Sequence, residues 1–243
     1  MGRLEHLLQQ QIVLVGESKP MSEETFFQEE RDTIREALNK YTRRAFKALP
    51  KLEKPRILDI GCGSGVPTME LAKLSGGEIV ALDIDRPALA SLREKVEKAA
   101  LSDRIRVVER SMTDMDLPAE SFDIVWAEGS IFVVGFEKGL KEWGLLLKPG
   151  GFLAVHDEAG DVAEKLEQIS NCGYELIDYF TMDENVWWNE YYASLERWVS
   201  GIRNECGDSP EALEVLDKEQ REIDMFKSEP ARFKSVFFVM RKR

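Results

Sequence analysis

Five residues stand out by type and spacing: Asp59, Gly61, Gly63 and Gly65 within "ILDIGCGSG" (57–65), and Asp83 in "VALDIDRPAL". Three glycines at alternate positions, between an apolar run and a helix-like segment opening on Pro67, remove the Cβ atoms from a tight strand-to-helix turn. A ligand can then approach the backbone closely, and the free N–H groups of the first helical turn suit an anionic group. Glycines also serve turns that bind nothing, so the turn alone is weak evidence. Asp83 strengthens it, because a carboxylate roughly 20 residues further on, at the end of the next strand, can accept hydrogen bonds from ribose hydroxyls. Asp85 is better suited to capping the following helix. A dinucleotide-binding G-x-G-x-x-G would need Gly at position 66, where the chain has Val66.

The elements that must hold these residues alternate. Strands are expected at Ile57–Ile60, Ile79–Asp83, Ile105–Glu109, Phe122–Ala127, Phe152–His156, Tyr174–Phe180 and Val236–Met240. Helices are expected at Pro67–Leu74, Pro87–Ala100, Phe136–Leu147 and Asp161–Ser170, with Lys148–Gly151 as a turn. Ahead of them, Phe27, Ile34, Leu38, Tyr41, Ala45 and Ala48 recur at helical spacing, giving one helix or two in succession from an N-cap at Ser22, followed by a linker at Lys51–Pro55. This pattern reads as βαβ units and a parallel sheet. About 50 residues between the last two strands are too many for a simple connection and must fold by themselves.

The chain's 243 residues suit one α/β domain with additions. A formal charge of −12, with Lys and Arg interleaved among acids, argues against nucleic acid as a partner. Cys62, Cys172 and Cys206 are odd in number and form no C-x-x-C pair, so neither a disulfide framework nor a metal site is expected. The early apolar run, Ile12–Val15, is too short for a signal segment, and no stretch approaches a membrane span. A cytoplasmic location without membrane partners is the expectation.

The string Asp59-Ile-Gly61-Cys-Gly63-Ser-Gly65 is D-x-G-x-G-x-G and closely resembles the first motif of class I S-adenosylmethionine-dependent methyltransferases. The resemblance runs from about Arg56 to Val155 and includes Asp83, "SFDIVWAEG" and "LLLKPGGFLAV". It implies an α/β fold: a Rossmann-like, doubly wound, mostly parallel seven-stranded sheet with helices on both faces and a helical lid insertion before the last strand. Residues 1–54 would be an N-terminal helical extension, 55–243 the methyltransferase domain, and about 183–228 the insertion. The cofactor implied is S-adenosylmethionine. Gly61, Gly63 and Gly65 would cradle its methionine part, Asp59 would help hold the ammonium group through the loop, Asp83 would take the ribose, and Ile84 would lie against adenine. Ser111 and Met112 occupy the place where the family often has Asp and a small or apolar residue; Asp114 is the alternative if the alignment slips. The Asn/Asp-Pro-Pro-aromatic signature of enzymes that methylate bases is absent from "AEGS".

Glu128, ending the fourth strand, meets either the cofactor's cationic end and the substrate or local backbone N–H groups. Methyl transfer is an in-line displacement, so a base is needed only for acceptors that arrive protonated. His156, Asp157 and Glu158 are the general-base candidates, with His156 foremost, although a lone histidine is also a common structural residue. Trp187, Trp188, Tyr191 and Tyr192 would form two aromatic ridges on a helix, as a substrate-binding wall for a planar or cationic acceptor or as packing. Trp126 and Trp143 suggest core, Phe132 and Phe136 pocket or core, and Tyr41 is the residue of interest in the extension. The leading expectation is transfer to a small-molecule acceptor. A non-catalytic cofactor-binding sensor and a protein methyltransferase are the alternatives, and the oligomeric state is not legible.

Overall fold

The computed structural model describes residues 23–204 and 209–243. Ser22, Cys206 and the run Ile12–Val15 lie outside the described residues. The chain enters through α1 (Glu23–Arg35), a 3-10 turn (Glu36–Leu38) and α2 (Asn39–Ala48), two helices in succession as the spacing of apolar residues implied. Contacts among the described residues divide it into a sheet unit, Leu38–Met182 with Lys234–Arg243, and a helical unit that joins Glu23–Ala37 to the described part of Asp183–Phe233.

The sheet unit contains all seven strands: β1 (Arg56–Ile60), β2 (Glu78–Asp83), β3 (Ile105–Glu109), β4 (Phe122–Glu128), β5 (Leu147–Glu158), β6 (Tyr174–Met182) and β7 (Ser235–Lys242). Their order is β3-β2-β1-β4-β5-β7-β6. Only β7 runs antiparallel to its neighbours. The chain leaves β1 in one direction through β2 and β3, and returns to its other side through β4 and β5. The carboxyl ends of β1 and β4 therefore mark the point where the winding reverses, which is where open α/β sheets bind ligands.

Strand residues alternate between two buried faces, which is why the central strands read as nearly continuous apolar runs. Leu58, Ile60, Val125, Leu153 and Phe238 belong to the core on one face together with Trp143. Ile57, Ile124, Trp126, Ala154 and Phe237 belong to the other, with Leu71 and Leu92. Leu71 lies on α3 (Val66–Ser75) and Leu92 on α4 (Arg86–Lys98); Trp143 lies on α5 (Phe136–Gly144). Asp85 caps α4 by accepting from the Ala88 amide at 3.1 Å, and Asp161 caps α6 (Val162–Asn171) through Glu164 at 3.1 Å. Trp126, Trp143 and Phe136 are core residues, whereas Phe132 is 60% exposed.

The segment Lys148–Gly151 is not the simple turn expected. β5 already begins at Leu147, which pairs with Phe122, and the register then jumps so that Phe152 pairs with Ile124. Gly150 adopts φ +72° inside this irregularity, and the Leu147 carbonyl accepts from the Lys242 ammonium at 2.9 Å. A bulge with these external partners accommodates Pro149, which cannot donate to a ladder. Correspondingly, α5 ends at Gly144 rather than Leu147.

In the helical unit, α1 accompanies α7 (Glu184–Trp187), a π-helical turn (Trp188–Tyr192), α8 (Ala193–Arg203), α9 (Pro210–Ser228) and a 3-10 turn (Pro230–Phe233). Ser209 caps α9 by accepting from the Ala212 amide. The unit has its own core: Tyr192 stacks on Phe226 at 4.2 Å, Trp188 stacks on the same ring at 6.0 Å, and Phe27 meets Trp198 edge-on at 5.7 Å. Arg31 of α1 pairs with the buried Glu219 of α9. Among the described residues, no helix is long and apolar enough to cross a membrane.

Replacing Trp143, fully buried against the sheet, by alanine is expected to remove about 3–5 kcal/mol of stability, measured by urea denaturation. A loss below about 1 kcal/mol would be incompatible with a close-packed ring.

Candidate active site

The bend after β1 is built by backbone hydrogen bonds. The amides of Gly61 and Cys62 both donate to the Leu82 carbonyl, at 2.8 and 3.1 Å, and the Gly65 amide donates to Cys62 at 2.9 Å. Gly65 caps α3 with φ +83°, and a Cβ there would lie 2.2 Å from Leu92 Cδ1. Gly65 is thus a packing glycine. Gly63 also has a positive φ, +52°, but a Cβ on it would meet no atom within 4 Å. The open side of the loop is at Gly63.

Asp83, at the tip of β2, orients this loop. Its Oδ2 accepts from the Gly63 amide at 2.8 Å, and its Oδ1 accepts from Ile84 at 2.7 Å and Asp85 at 3.0 Å. A carboxylate has about four acceptor sites. One ribose hydroxyl can therefore be added at Asp83 directly, and a second would displace an N–H. The neighbouring Ile84 is 68% exposed, an apolar surface beside the acid. Asp85, by contrast, caps α4, as its spacing implied.

Asp59 lies below the loop and is 2% exposed. Its Oδ2 accepts from the Thr68 hydroxyl at 2.6 Å. Burial pushes its carboxyl up to about 7; the Thr68 bond opposes the rise, and the charges of Glu128 and Asp83 add to it. The register explains that coupling. Ala81, Asp59 and Trp126 form one row across β2, β1 and β4, so Asp83 and Glu128, two residues further along their strands, lie on the same face at its upper edge.

Glu128 is held by side chains of α2 and of its own strand. Its Oε1 accepts from the Thr42 hydroxyl and the Trp126 indole, each at 2.8 Å. Tyr41 instead packs beside Phe180 at 6.3 Å, so in α2 the residue reaching this edge is Thr42. His156 pairs in register with Glu128, is buried, stacks on Phe237 at 5.0 Å and meets Ser235 Oγ through Nε2 at 2.9 Å. Asp157 points to the opposite strand face, where its Oδ2 accepts from Lys165 at 2.5 Å; its other oxygen has no partner. Glu158 is exposed.

On the β3 side, Ser111 Oγ is 2.8 Å from Thr113 Oγ1 and accepts from the Thr113 amide at 3.2 Å, a local turn. Met112 packs against the core, and its Cε would be 3.6 Å from a Cβ on Gly61. The Arg110 amide donates to the Asp83 carbonyl, which docks this loop beside β2. Trp187, Trp188, Tyr191 and Tyr192 belong to the helical unit, where Tyr191 and Tyr192 are buried and Tyr192 Oη donates to Glu222 at 3.1 Å. Burial pushes the Tyr191 hydroxyl up to about 12.

Several contributors carried no sequence signal of their own. Ser130 donates to the Ile60 carbonyl at 2.7 Å, and a Cβ on Gly61 would lie 2.5 Å from Ser130 Cβ. Lys95 of α4 donates to the Ser64 carbonyl at 2.9 Å. Thr68 and Thr42 bind the two carboxylates described above. Their spacing to their partners ranges from 9 to 86 residues, beyond any local periodicity. Among the described residues, no group of three or more His, Cys, Asp or Glu is placed to hold a metal ion.

A doubly wound sheet whose reversal point carries an open glycine loop, an acid at the tip of β2 and an exposed apolar side chain beside it has the fittings for an adenosyl group. Comparisons agree: residues 57–151 match the family model described as a methyltransferase domain. Over 203 residues the chain is 27% identical to the 27-O-demethylrifamycin SV methyltransferase of Amycolatopsis mediterranei, covering 81% of this chain and 69% of that protein. It is 33% identical over 103 residues to the sterol 24-C-methyltransferase ERG6B of Gibberella zeae, covering 42% of this chain but 27% of the relative. In fold it is similar to an S-adenosylmethionine-dependent methyltransferase from Geobacter sulfurreducens, solved with S-adenosyl-L-homocysteine, with a TM-score of 0.66, 16% identity and coverage of 84% and 91%. Residues 57–151 thus carry a methyltransferase domain, and the relatives and the fold together support a class I S-adenosylmethionine-dependent methyltransferase.

The two loop glycines are expected to behave differently. Gly65→Ala should lower stability by about 1–3 kcal/mol through its collision with Leu92. Gly63→Ala should cost about 1–2 kcal/mol for the left-handed backbone alone, whereas Gly63→Val should abolish S-adenosylhomocysteine binding by filling the open side. Thermal melts and calorimetry separate these effects; unchanged affinity in Gly63→Val would place the ligand elsewhere.

Proposed function

We propose that the protein transfers a methyl group from S-adenosylmethionine to an apolar small-molecule acceptor at the carboxyl edge of β4 and β5. The observation that carries this reading is the loop opening at Gly63 with Asp83 bonded to the same residue. When bound, the cofactor supplies an electrophilic methyl on a sulfonium. The chain's residues do the rest: Gly61 to Gly65 receive the methionine part with Asp59 beneath, Asp83 takes a ribose hydroxyl, and Ile84, Ser111 and Met112 flank the adenine. Glu128, fastened by Thr42 and Trp126, sets the negative charge beside the reacting end.

Support for an apolar acceptor comes from Phe132 and Val133, 60% and 59% exposed, two and three residues after Ser130 in the segment leaving β4. The relatives named for a rifamycin and a sterol point the same way. Displacement at carbon or sulfur needs no base; for an acceptor that arrives protonated, His156, in register with Glu128 and hydrogen-bonded to Ser235 Oγ, is the base candidate. The aromatic residues Trp187, Trp188, Tyr191 and Tyr192 are assigned first to packing, because Phe226 already stacks on two of them.

The test is incubation with methyl-labelled cofactor and a fractionated cell extract. Label is expected in an organic-soluble small molecule; label in protein, or tight binding with no transfer, would replace this reading by a protein methyltransferase or a sensor. Asp83→Ala should weaken S-adenosylhomocysteine binding by about 1.5–3 kcal/mol for each charge-assisted bond lost. Thr42→Val should lower kcat about tenfold, equivalent to about 1.4 kcal/mol, with stability changed by at most about 1.5 kcal/mol. Wild-type kcat in that variant would remove Glu128 from the reacting end.

A further inference from the structure

Resting on the reading above, we propose that Asp59, Asp83 and Glu128 read the charge of the ligand: the set takes up the cationic methyl donor with loss of the Asp59 proton to solvent, and holds the neutral thioether product less tightly. The geometry comes first. Three carboxylates lie on one face of three adjacent strands, β1, β2 and β4, with the glycine loop running over the lowest of them. Asp83 and Glu128 are each fixed by donors, three backbone amides for one and two side chains for the other. Neither can swing away to relieve the repulsion, which adds to burial in raising the Asp59 carboxyl above its ordinary range.

The groups facing Asp59 are Thr68 from α3, which donates to it, Asp83 from β2, Glu128 from β4 and the Cys62 thiol in the loop. That thiol is itself pushed up by burial and by Asp59 and Asp83, with Arg93 opposing. The Arg43 guanidinium of α2 and Lys73 of α3 are engaged by Glu70. The charges that act on Asp59 are those of Glu128 and Asp83, and the Lys95 ammonium of α4 is engaged by the Ser64 carbonyl of the loop. Burial and these neighbours bring the Asp59 carboxyl to about 7, so a carboxyl–carboxylate change at Asp59 falls within the working range of a binding experiment.

S-adenosylmethionine carries one more positive charge than S-adenosylhomocysteine, and both share the adenosyl and amino-acid groups. Adding that charge above three carboxylates favours the ionised form of Asp59. The O–H bond of its carboxyl breaks and the proton passes to buffer. Methyl transfer removes the charge, Asp59 regains a proton, and the attraction for the spent cofactor falls. Glu128 and Asp59 thereby act as specificity-determining residues for donor over product, separate from any role in moving the methyl group.

The experiment is titration calorimetry of the full chain with each ligand in two buffers of different ionisation enthalpy, at pH 6, 7 and 8. Proton release of about half a proton per site at pH 7 is expected for S-adenosylmethionine, and clearly less for S-adenosylhomocysteine. The donor-to-product affinity ratio should rise about tenfold at most between pH 6 and 8. Asp59→Asn should abolish the difference in proton release, and Glu128→Gln should shrink it. Equal release for the two ligands in the wild type, or an unchanged difference in Asp59→Asn, overturns the proposal. Should Asp59→Asn fail to fold, the wild-type comparison and Glu128→Gln still decide. Absence of binding by either ligand at every pH would instead reject the methyltransferase reading, and this proposal with it.

Discussion

The hydrogen bond from the Gly63 amide to Asp83 is the constraint on which the edge of the sheet depends. It joins the bend after β1 to the tip of β2, and the Ser130 hydroxyl joins the end of β1 to the segment after β4. Three strands are thus locked at the reversal point by two short bonds, one to a charged acceptor and one to a buried carbonyl. Bonds to charged groups are worth more than neutral ones, and neither depends on a flexible side chain reaching through solvent. The loop can remain open at Gly63 because its shape is held from both sides.

The same edge concentrates negative charge in a place where water is scarce. A carboxyl whose pKa is raised on folding contributes stability that is fully present below its unfolded value and lost as pH rises through its folded value. For Asp59 that window runs from the ordinary carboxylate range up to about 7. At neutral pH the fold therefore tolerates a strained electrostatic arrangement, and a cationic ligand relieves it. Stability without ligand and affinity for a cation are opposite faces of one arrangement, a frequent compromise at functional sites.

Much of the scaffold was legible because it rests on local signals. All seven strands fell where apolar runs placed them, and the two acids of "LDID" separated correctly, since Asp85 precedes Pro87 at a helix start whereas Asp83 ends a strand. The misread segment was Lys148–Gly151: Pro and Gly signal a turn locally, yet here they lie in a bulge tied to β7 by Lys242. The site was legible in part. Asp59 and Asp83 announce themselves by position, but Thr42 meeting Glu128 across 86 residues, or Lys95 meeting Ser64 across 31, is a product of tertiary packing with no trace in spacing. The regular helix assumed for "WWNEYY" gave way to a π-helical turn, whose extra residue shifts which rings share a side.

The division between legible and hidden residues has a functional logic. The residues that the proposed reading gives to the cofactor lie on strand ends and on a glycine bend, where small shifts would break the register of the sheet. In that reading the acceptor end lies beyond β4, at the 3-10 turn Ile131–Val133, where Ile131 is buried but Phe132 and Val133 are exposed. A loop anchored by one buried side chain can change its exposed neighbours without disturbing the sheet. The proposed reading thus draws the methyl donor from a handful of positions fixed by the sheet, and the acceptor from side chains that the fold leaves unconstrained.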